Sequence, residues 1–354
     1  MTATIRVADG GGAPFDLGAL AAWLGARVPE FSGEYLLGRF AGGQSNPTFR
    51  LAAGSGGRSF VLRTKPAPAA QLLKSAHAIE REFRVQRALA SSDVPVAAMH
   101  VLCEDESIIG RAFYLMDLLD GRVLWDPTLP GMTPAERGAI FAELNRVIAA
   151  LHTVDFAALG LADYGKPGNY FGRQISRWSR QYLDSQTGPL PAMDRLIEWL
   201  PAHLPVEPDE PVSIVHGDFR LDNLIFHKTE PRAIGVLDWE LSTLGHPLAD
   251  FSYLCMTWHV RPDVFRGIAG CDLAALGIPA AEAFVERYLT RTGLTLRGDW
   301  NFYLAYNMFR IASILQGVKK RALDGINASD NALEQGRAIE PLAELAWQYA
   351  QRVG

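Results

Sequence analysis

Apolar and polar positions follow two different rhythms, and the change between them divides the chain. From Tyr35 to Leu119 apolar residues recur mostly every second position. The segments beginning at Tyr35, Thr48-Phe-Arg-Leu51, Ser59-Phe-Val-Leu-Arg63, Val101-Leu-Cys103 and Ala112-Phe-Tyr-Leu-Met-Asp-Leu-Leu119 read as five short strands. Gly54-Ser-Gly-Gly57 turns the second strand into the third, so the first three form a meander. Two helices belong to this half. Asp16 caps one in which Leu17, Leu20 and Leu24 recur at helical spacing beside Trp23, before Pro29 stops it. The other runs from about Ser75 to Ala90, with Ile79, Phe83, Gln86 and Ala90 along one stripe. Residues 1 to 14, rich in Gly, Ala and Thr, read as a loose arm.

Beyond Asp120-Gly121 the rhythm becomes helical. Thr133, Pro134 and Glu136 open a helix whose apolar face is Ile140, Leu144, Val147, Ile148 and Leu151, with His152 as a packed or capping side chain at its end. Residues 163 to 182 are polar and aromatic, and Pro201 to Pro211 is a proline-rich connector. Short apolar runs at Ile214-Val215, Leu224-Ile-Phe226 and Ile234 to Leu237 read as buried strands. Asp299 caps a later helix with Leu304, Met308, Ile311 and Leu315 on its core stripe and Tyr303, Asn307 and Arg310 on another face. Lys319-Lys-Arg321 at its C-terminus reads as a solvated end that suits the helix dipole, with an anion site as the alternative. The expected architecture is therefore α+β: a small lobe over residues 1–119, with a five-stranded antiparallel sheet and helix, and a large, mostly helical lobe over 120–354.

Composition narrows the partners. The 354 residues are 48% hydrophobic and 21% charged, ordinary for a soluble globular protein with two sizeable cores. A net charge of −5 gives no electrostatic case for nucleic acid. Three cysteines without C-x-x-C spacing argue against a disulfide framework or zinc site and for a reducing cytoplasm. No signal peptide or run long enough to span a membrane is expected.

The candidate chemistry sits between the buried strands, at His216-Gly-Asp-Phe-Arg-Leu-Asp-Asn223 and Leu237-Asp-Trp-Glu240. Asp218 and Asn223 have the separation of the protein-kinase catalytic loop, in which the Asp accepts the proton of the attacking hydroxyl and the Asn holds a metal. Asp238 falls where a second metal-binding carboxylate belongs, and His216 reads as scaffold. Phosphoryl transfer depends mainly on aligning the hydroxyl and neutralising charge. One carboxylate and one amide oxygen suffice for Mg²⁺, which keeps several waters.

The small lobe supplies the complementary parts. Gly42, Gly43, Gln44, Ser45 and Asn46 form a turn able to offer backbone N–H groups to phosphates. It has neither G-x-G-x-x-G nor Walker spacing, so a Rossmann domain or P-loop is not supported. Strand alternation puts Val61 and Arg63 on one face and Phe60 and Leu62 on the other, making Arg63 the phosphate-positioning cation with Lys65 as its rival. Glu82 is the expected ion-pair partner. Ala112 to Leu119 reads by itself as a strand ending in a turn at Asp120-Gly121; the resemblance to a kinase-like fold is what implies a hinge there, with the backbone from Asp117 through Leu119 pairing with an adenine edge.

These motifs resemble the aminoglycoside phosphotransferase and choline kinase superfamily, which carries H-G-D-x-x-x-x-N, then I/L-D-W/F, then Gly-x-Pro-x-x-Asp. Gly245-His-Pro-Leu-Ala-Asp250 matches the last, with His246 where Asp is frequent, and the resemblance makes Asp250 a brace for the catalytic loop. Phe60-Val-Leu-Arg-Thr-Lys-Pro66, Leu73 to Phe83 and Arg310 to Arg321 look more specifically like the kinase-like domain fused to certain large acyl-CoA dehydrogenases, and its free-standing bacterial relatives. That resemblance implies ATP- and Mg²⁺-dependent phosphorylation of a hydroxyl on a hydroxyacyl-CoA or related hydroxy acid, with Glu240, Asn307 and Arg310 bordering the acceptor. Two alternatives stand beside it. Trp239, Glu240, Tyr253 and Trp258 lie near the motif, as a cationic acceptor of an aminoglycoside or choline-type kinase would need. A nucleotide-binding module without catalysis is opposed by Asp218, Asn223 and Asp238, and left open by Arg63 where protein kinases use Lys.

Overall fold

A computed structural model describes residues 3–8, 12–40, 46–54, 57–66, 78–205, 209–325 and 331–354. The small lobe contains β1 (Thr4–Val7), α1 (Leu17–Gly25), β2 (Glu34–Arg39), β3 (Thr48–Ala53), β4 (Phe60–Thr64), α2 (Ile79–Leu89), β5 (Met99–Cys103) and β6 (Phe113–Asp117). The five expected strands pair antiparallel, and β1 adds a sixth at the edge, giving the order β1-β2-β3-β4-β6-β5. This corrects the reading of residues 1 to 14 as a loose arm. Thr4–Val7 runs parallel to β2, and Ile5 enters the core with Leu20 and Leu24 of α1. Asp16 caps α1 by accepting from the Ala19 N–H at 2.9 Å.

Strand alternation separates the two faces of this sheet. Leu37, Leu51, Phe60, Leu62, Phe113 and Leu115 bury one face against α1. The other face carries Arg63 and Tyr114 toward α2, where Ile79 and Phe83 pack on Tyr114. Helix α2 also ties the lobes together. Val85 and Leu89 join the large-lobe core, and Arg81 donates to the carbonyls of Tyr164 and Ser242 at 2.6 and 3.4 Å.

The large lobe continues with β7 (Arg122–Val123), α3 (Pro134–His152), α4 (Tyr170–Ser185), α5 (Pro191–Ala202), β8 (Ser213–Val215), β9 (Leu224–Phe226), β10 (Ala233–Val236), β11 (Thr243–Gly245), α6 (Pro247–Cys255), α7 (Leu273–Leu276), α8 (Ala281–Thr292), α9 (Trp300–Leu323), α10 (Ala332–Gln335) and α11 (Ile339–Ala350). Thr133 and Glu136 cap α3 reciprocally, as their spacing predicts. The polar and aromatic stretch after 163 holds a full helix, α4. The connector begins later than expected, because Pro201 still lies within α5. Sheets β10-β9-β7 and β11-β8 frame the two loops that carry the motif.

Helix α9 is buried almost all round between Phe302 and Gly317, under α4, α6 and α11. Its core stripe and its second face are therefore both interior. No described helix is long and apolar enough to cross a membrane.

Candidate active site

A cleft of about 510 Å³ lies between the lobes. It is lined by Asn46, Arg63, Glu82, Asp117 and Leu119 from the small lobe and by Asn223, Asp238 and Glu240 from the large one. Gly42, Gly43, Gln44 and Ser45 of the expected phosphate cover lie outside the described residues. Asn46 is described, and its amide donates to Glu82 Oε1 at 2.8 Å.

Glu82 is a buried junction. Arg63 Nε lies 2.8 Å from its Oε2, and the Tyr114 hydroxyl donates to the same oxygen at 3.2 Å. Burial pushes the Glu82 carboxyl up, against the pull of Arg63. Burial likewise works against the charged guanidinium, but Glu82, Tyr114, Asp238 and Glu240 outweigh it and hold Arg63 above its ordinary value. Arg63 Nη2 reaches toward Asp238 at 3.8 Å and Glu240 at 4.0 Å, so the cation spans both lobes. Lys65 instead pairs with Glu80 at 3.1 Å.

The catalytic-loop candidates are held from behind. Asp250 of α6 accepts from the backbone N–H groups of His216 and Gly217 at 2.7 and 2.9 Å, as the resemblance implies. His152 Nε2 meets the same carboxylate at 3.2 Å, and its Nδ1 meets the Tyr288 hydroxyl at 2.6 Å. His216 bridges two loops. Its Nε2 lies 2.7 Å from the Leu237 carbonyl, while its Nδ1 accepts from the Asp218 N–H at 3.2 Å. Gly217 has φ of +83°, and a Cβ there would stand 2.9 Å from the Leu241 carbonyl oxygen, so the bend requires glycine.

Asp218 is fixed at both oxygens. The Tyr253 hydroxyl donates to Oδ1 at 2.6 Å, and Asn223 Nδ2 donates to Oδ2 at 3.0 Å. Arg220 Nε lies 3.3 Å from Oδ2. Because Asn223 turns its NH₂ toward Asp218, its amide oxygen remains for a cation. Asp238 adopts φ of +64°, and its buried Oδ1 has no hydrogen-bond partner among the described residues. No group of three or more His, Cys, Asp or Glu side chains suited to a metal gathers among the described residues. An amide oxygen and an orphaned carboxylate oxygen nonetheless fit Mg²⁺ sharing nucleotide phosphates and waters.

Beside Asp218 a small hollow is lined by Trp125, Arg220, Asp222, Tyr253, Met256, Phe265 and Arg266. Asp222 is engaged by Arg266 and lies 3.4 Å from Arg220 Nε. The sequence reading missed Tyr253's contact with Asp218 and the Arg220–Asp222–Arg266 group. Arg220 and Asp222 stand inside the motif itself, but nothing local points to Arg266.

Three acceptor expectations change. Glu240 faces Arg63 in the interlobe cleft and does not line the hollow. Asn307 is fully buried, and its amide donates to the Ala249 carbonyl and Ser252 Oγ of α6, so it ties α9 to α6. Arg310 donates to the Gly217 carbonyl and stacks over Tyr253 and Trp178, supporting the loop from beneath. Trp239 and Trp258 are core residues, at 1% and 6% exposure, and form no aromatic box for a cation.

Against known proteins, residues 37–306 match the profile described as "Phosphotransferase enzyme family". The chain is 46% identical over 318 residues to acyl-CoA dehydrogenase family member 10 of Mus musculus, covering 89% of this chain and 29% of that protein. It is 41% identical over 346 residues to acyl-CoA dehydrogenase family member 11 of Rattus norvegicus, covering 96% of this chain and 44% of that protein. The chain thus spans less than half the length of these curated relatives. A crystal structure from Ralstonia eutropha JMP134, assigned provisionally to the aminoglycoside phosphotransferases, is 58% identical with a TM-score of 0.88, covering 96% of this chain and 99% of that one.

Proposed function

Because the chain belongs to the phosphotransferase enzyme family, we propose that it moves the γ-phosphate of ATP, with Mg²⁺, to a hydroxyl of a hydroxyacyl-CoA or related hydroxy acid. The observation that carries the acceptor class is the charge around Asp218. Arg220 pairs with it and lines the adjoining hollow together with Arg266, Asp222 is engaged by both arginines, and Tyr253, Met256, Phe265 and Trp125 supply apolar surface. A polycationic sugar would meet like charge there, whereas an acyl chain with an anionic handle would not.

In this reading the Asp117 carbonyl and Leu119 N–H pair with the adenine edge, since the N–H groups of Asp117 and Leu118 are already bonded to Ala98 and Ser59. Gly42 to Asn46 cover the phosphates, and Arg63, held by Glu82, positions them. Asn223 and Asp238 hold Mg²⁺, which when bound offsets the negative charge of the phosphates. Asp218, held by Tyr253 and Asn223, orients the acceptor hydroxyl and accepts its proton. The bond from the γ-phosphorus to its bridging oxygen breaks as the acceptor oxygen bonds to phosphorus.

The test is transfer from ATP by purified protein to two panels: hydroxyacyl-CoA thioesters of varied chain length, and aminoglycosides with choline-like amines. Transfer to the thioesters, lost in Asp218→Asn while ATP binding persists, is the expected result. Transfer only to amines would overturn the acceptor assignment. ATP binding without transfer to either panel would favour a binding module, which the joint placement of Asp218, Asn223 and Asp238 argues against.

A further inference from the structure

A groove of about 760 Å³ between α4 and α9 plays no part in the chemistry described so far. Its lining includes Arg173, Arg177 and Arg180 from α4 and Lys320 and Arg321 from α9, against one described carboxylate, Asp184. Lys320 is paired with Asp324 at 2.5 Å, but Arg173, Arg177, Arg180 and Arg321 form no ion pair with a described residue. On α4 the three arginines stand three and four apart. Like charges at that spacing destabilise a helix by roughly 0.2–0.5 kcal/mol per pair. A cluster of this kind is relieved by a polyanion.

The groove is also shaped from within. Gly317 lies inside the 24-residue helix α9, where glycine costs about 1 kcal/mol relative to alanine. A Cβ there would stand 3.2 Å from Gln181 Nε2 and 3.7 Å from Arg321 Nη1, so the missing side chain lets both close over the floor. Trp178 links this floor to the catalytic loop. Arg177 stacks on its ring at 4.8 Å and Arg310 at 5.5 Å, and Arg310 in turn donates to the Gly217 carbonyl. Along α9, Arg321 is eleven residues from Arg310, about 16 Å of helix. An extended linker of that length would reach from a phosphate at Arg321 to the level of Arg310, whose guanidinium contacts the catalytic loop.

We propose that the α4–α9 groove binds the phosphate-bearing end of a coenzyme A thioester, whose pantetheine arm spans the distance to Asp218. This rests on the acceptor reading above and assigns it a second, remote site. Arginine suits the role, since its planar fork pairs with phosphate oxygens in bidentate fashion. The basic run at 319–321, read from sequence as a solvated helix end, then contributes two ligands.

The test uses the full chain and unesterified coenzyme A, which carries no acceptor hydroxyl. Calorimetry should give binding that weakens with salt and falls at least thirtyfold in the combined variant Arg177→Glu, Arg180→Glu, Arg321→Glu, while ATP affinity stays within twofold as a folding control. The gentler Arg177→Gln, Arg180→Gln, Arg321→Gln set should lose about tenfold. For hydroxyacyl-CoA transfer the same variants should raise KM with kcat unchanged, and leave transfer to the matching hydroxyacyl-pantetheine untouched. Absence of coenzyme A binding, equal binding by wild type and the charge-reversed variant, or displacement of coenzyme A from the groove by ATP would each overturn the proposal. Groove-dependent coenzyme A binding without transfer to any thioester would support the groove and sink the acceptor reading alone.

Discussion

Tyr253 donates a 2.6 Å hydrogen bond to Asp218 Oδ1 from one turn beyond Asp250, the residue that fixes the backbone of the same loop. Helix α6 thus holds both the main chain of the loop, at His216 and Gly217, and the side chain of the proposed base. Burial raises the Tyr253 phenol far above its ordinary value, and the charge of Asp218 raises it further, so it stays a donor throughout the working pH range. Tyr253→Phe should lower kcat about tenfold, ~1.4 kcal/mol, with KM for ATP within twofold. Steady-state kinetics with ATP varied separates these parameters, and an unchanged kcat would mean that Asn223 and Arg220 suffice to hold the carboxylate.

Arg63 and Lys65 offer a direct comparison of two cations two residues apart. The first is buried against Glu82 and faces Asp238 across the cleft, while the second pairs with partly exposed Glu80. Arg63→Ala should weaken ATP binding by about 30- to 100-fold, on the order of 2–3 kcal/mol, because it also leaves Glu82 buried without its cation. Lys65→Ala should change it less than twofold, as a surface pair contributes about 0–1 kcal/mol. Calorimetric titration with ATP would check both, and the reverse order would move the positioning role to Lys65.

For Asp250, burial alone would raise the carboxyl, but the hydrogen bond from His152, the charges of His152 and His216 and the His216 N–H prevail and hold it below its ordinary value. The unfolded chain therefore takes up this proton at a higher pH than the folded one. The stabilisation is fully present above the ordinary carboxylate range and is lost as pH falls through that range toward the depressed folded value. Asp250→Asn should flatten the acid side of a plot of urea midpoint against pH, and Asp250→Ala should cost about 3–5 kcal/mol. An acid limb identical to wild type in Asp250→Asn would remove the carboxylate from this role.

Local pattern carried the reading where one side of an element was fixed by burial. Alternation along β4 separated Arg63 from Phe60 and Leu62, and the stripe of α2 placed Glu82 beside it, because each element has one face on a core and one on the cleft. The same reasoning failed for α9. Neighbouring helices cover it on all sides, so its period could not tell Asn307, which ties it to α6, from a residue facing an acceptor. Thr4–Val7 escaped notice because four residues ahead of a glycine run carry too little alternation. The contacts of Tyr253 with Asp218 and of Arg266 with Asp222 join residues 35 and 44 apart, separations at which sequence spacing carries no geometry.

Asp238 combines a positive φ with a buried, unbonded Oδ1, and the two features separate under substitution. A non-glycine residue in the left-handed region costs roughly 1–2 kcal/mol, so Asp238→Gly should keep or slightly raise the melting temperature. Asp238→Ala relieves none of that cost. If the carboxylate serves Mg²⁺, both variants should lose the gain in ATP affinity that Mg²⁺ gives wild type, whatever happens to their stability. Asp238→Asn, which keeps one oxygen but no charge, should retain a small part of it. Titrations of ATP with and without Mg²⁺, run beside thermal unfolding, read the two effects independently. A variant that is destabilised yet keeps the full Mg²⁺ effect would assign Asp238 to the architecture of the loop and leave Asn223 to be tested as a ligand without it.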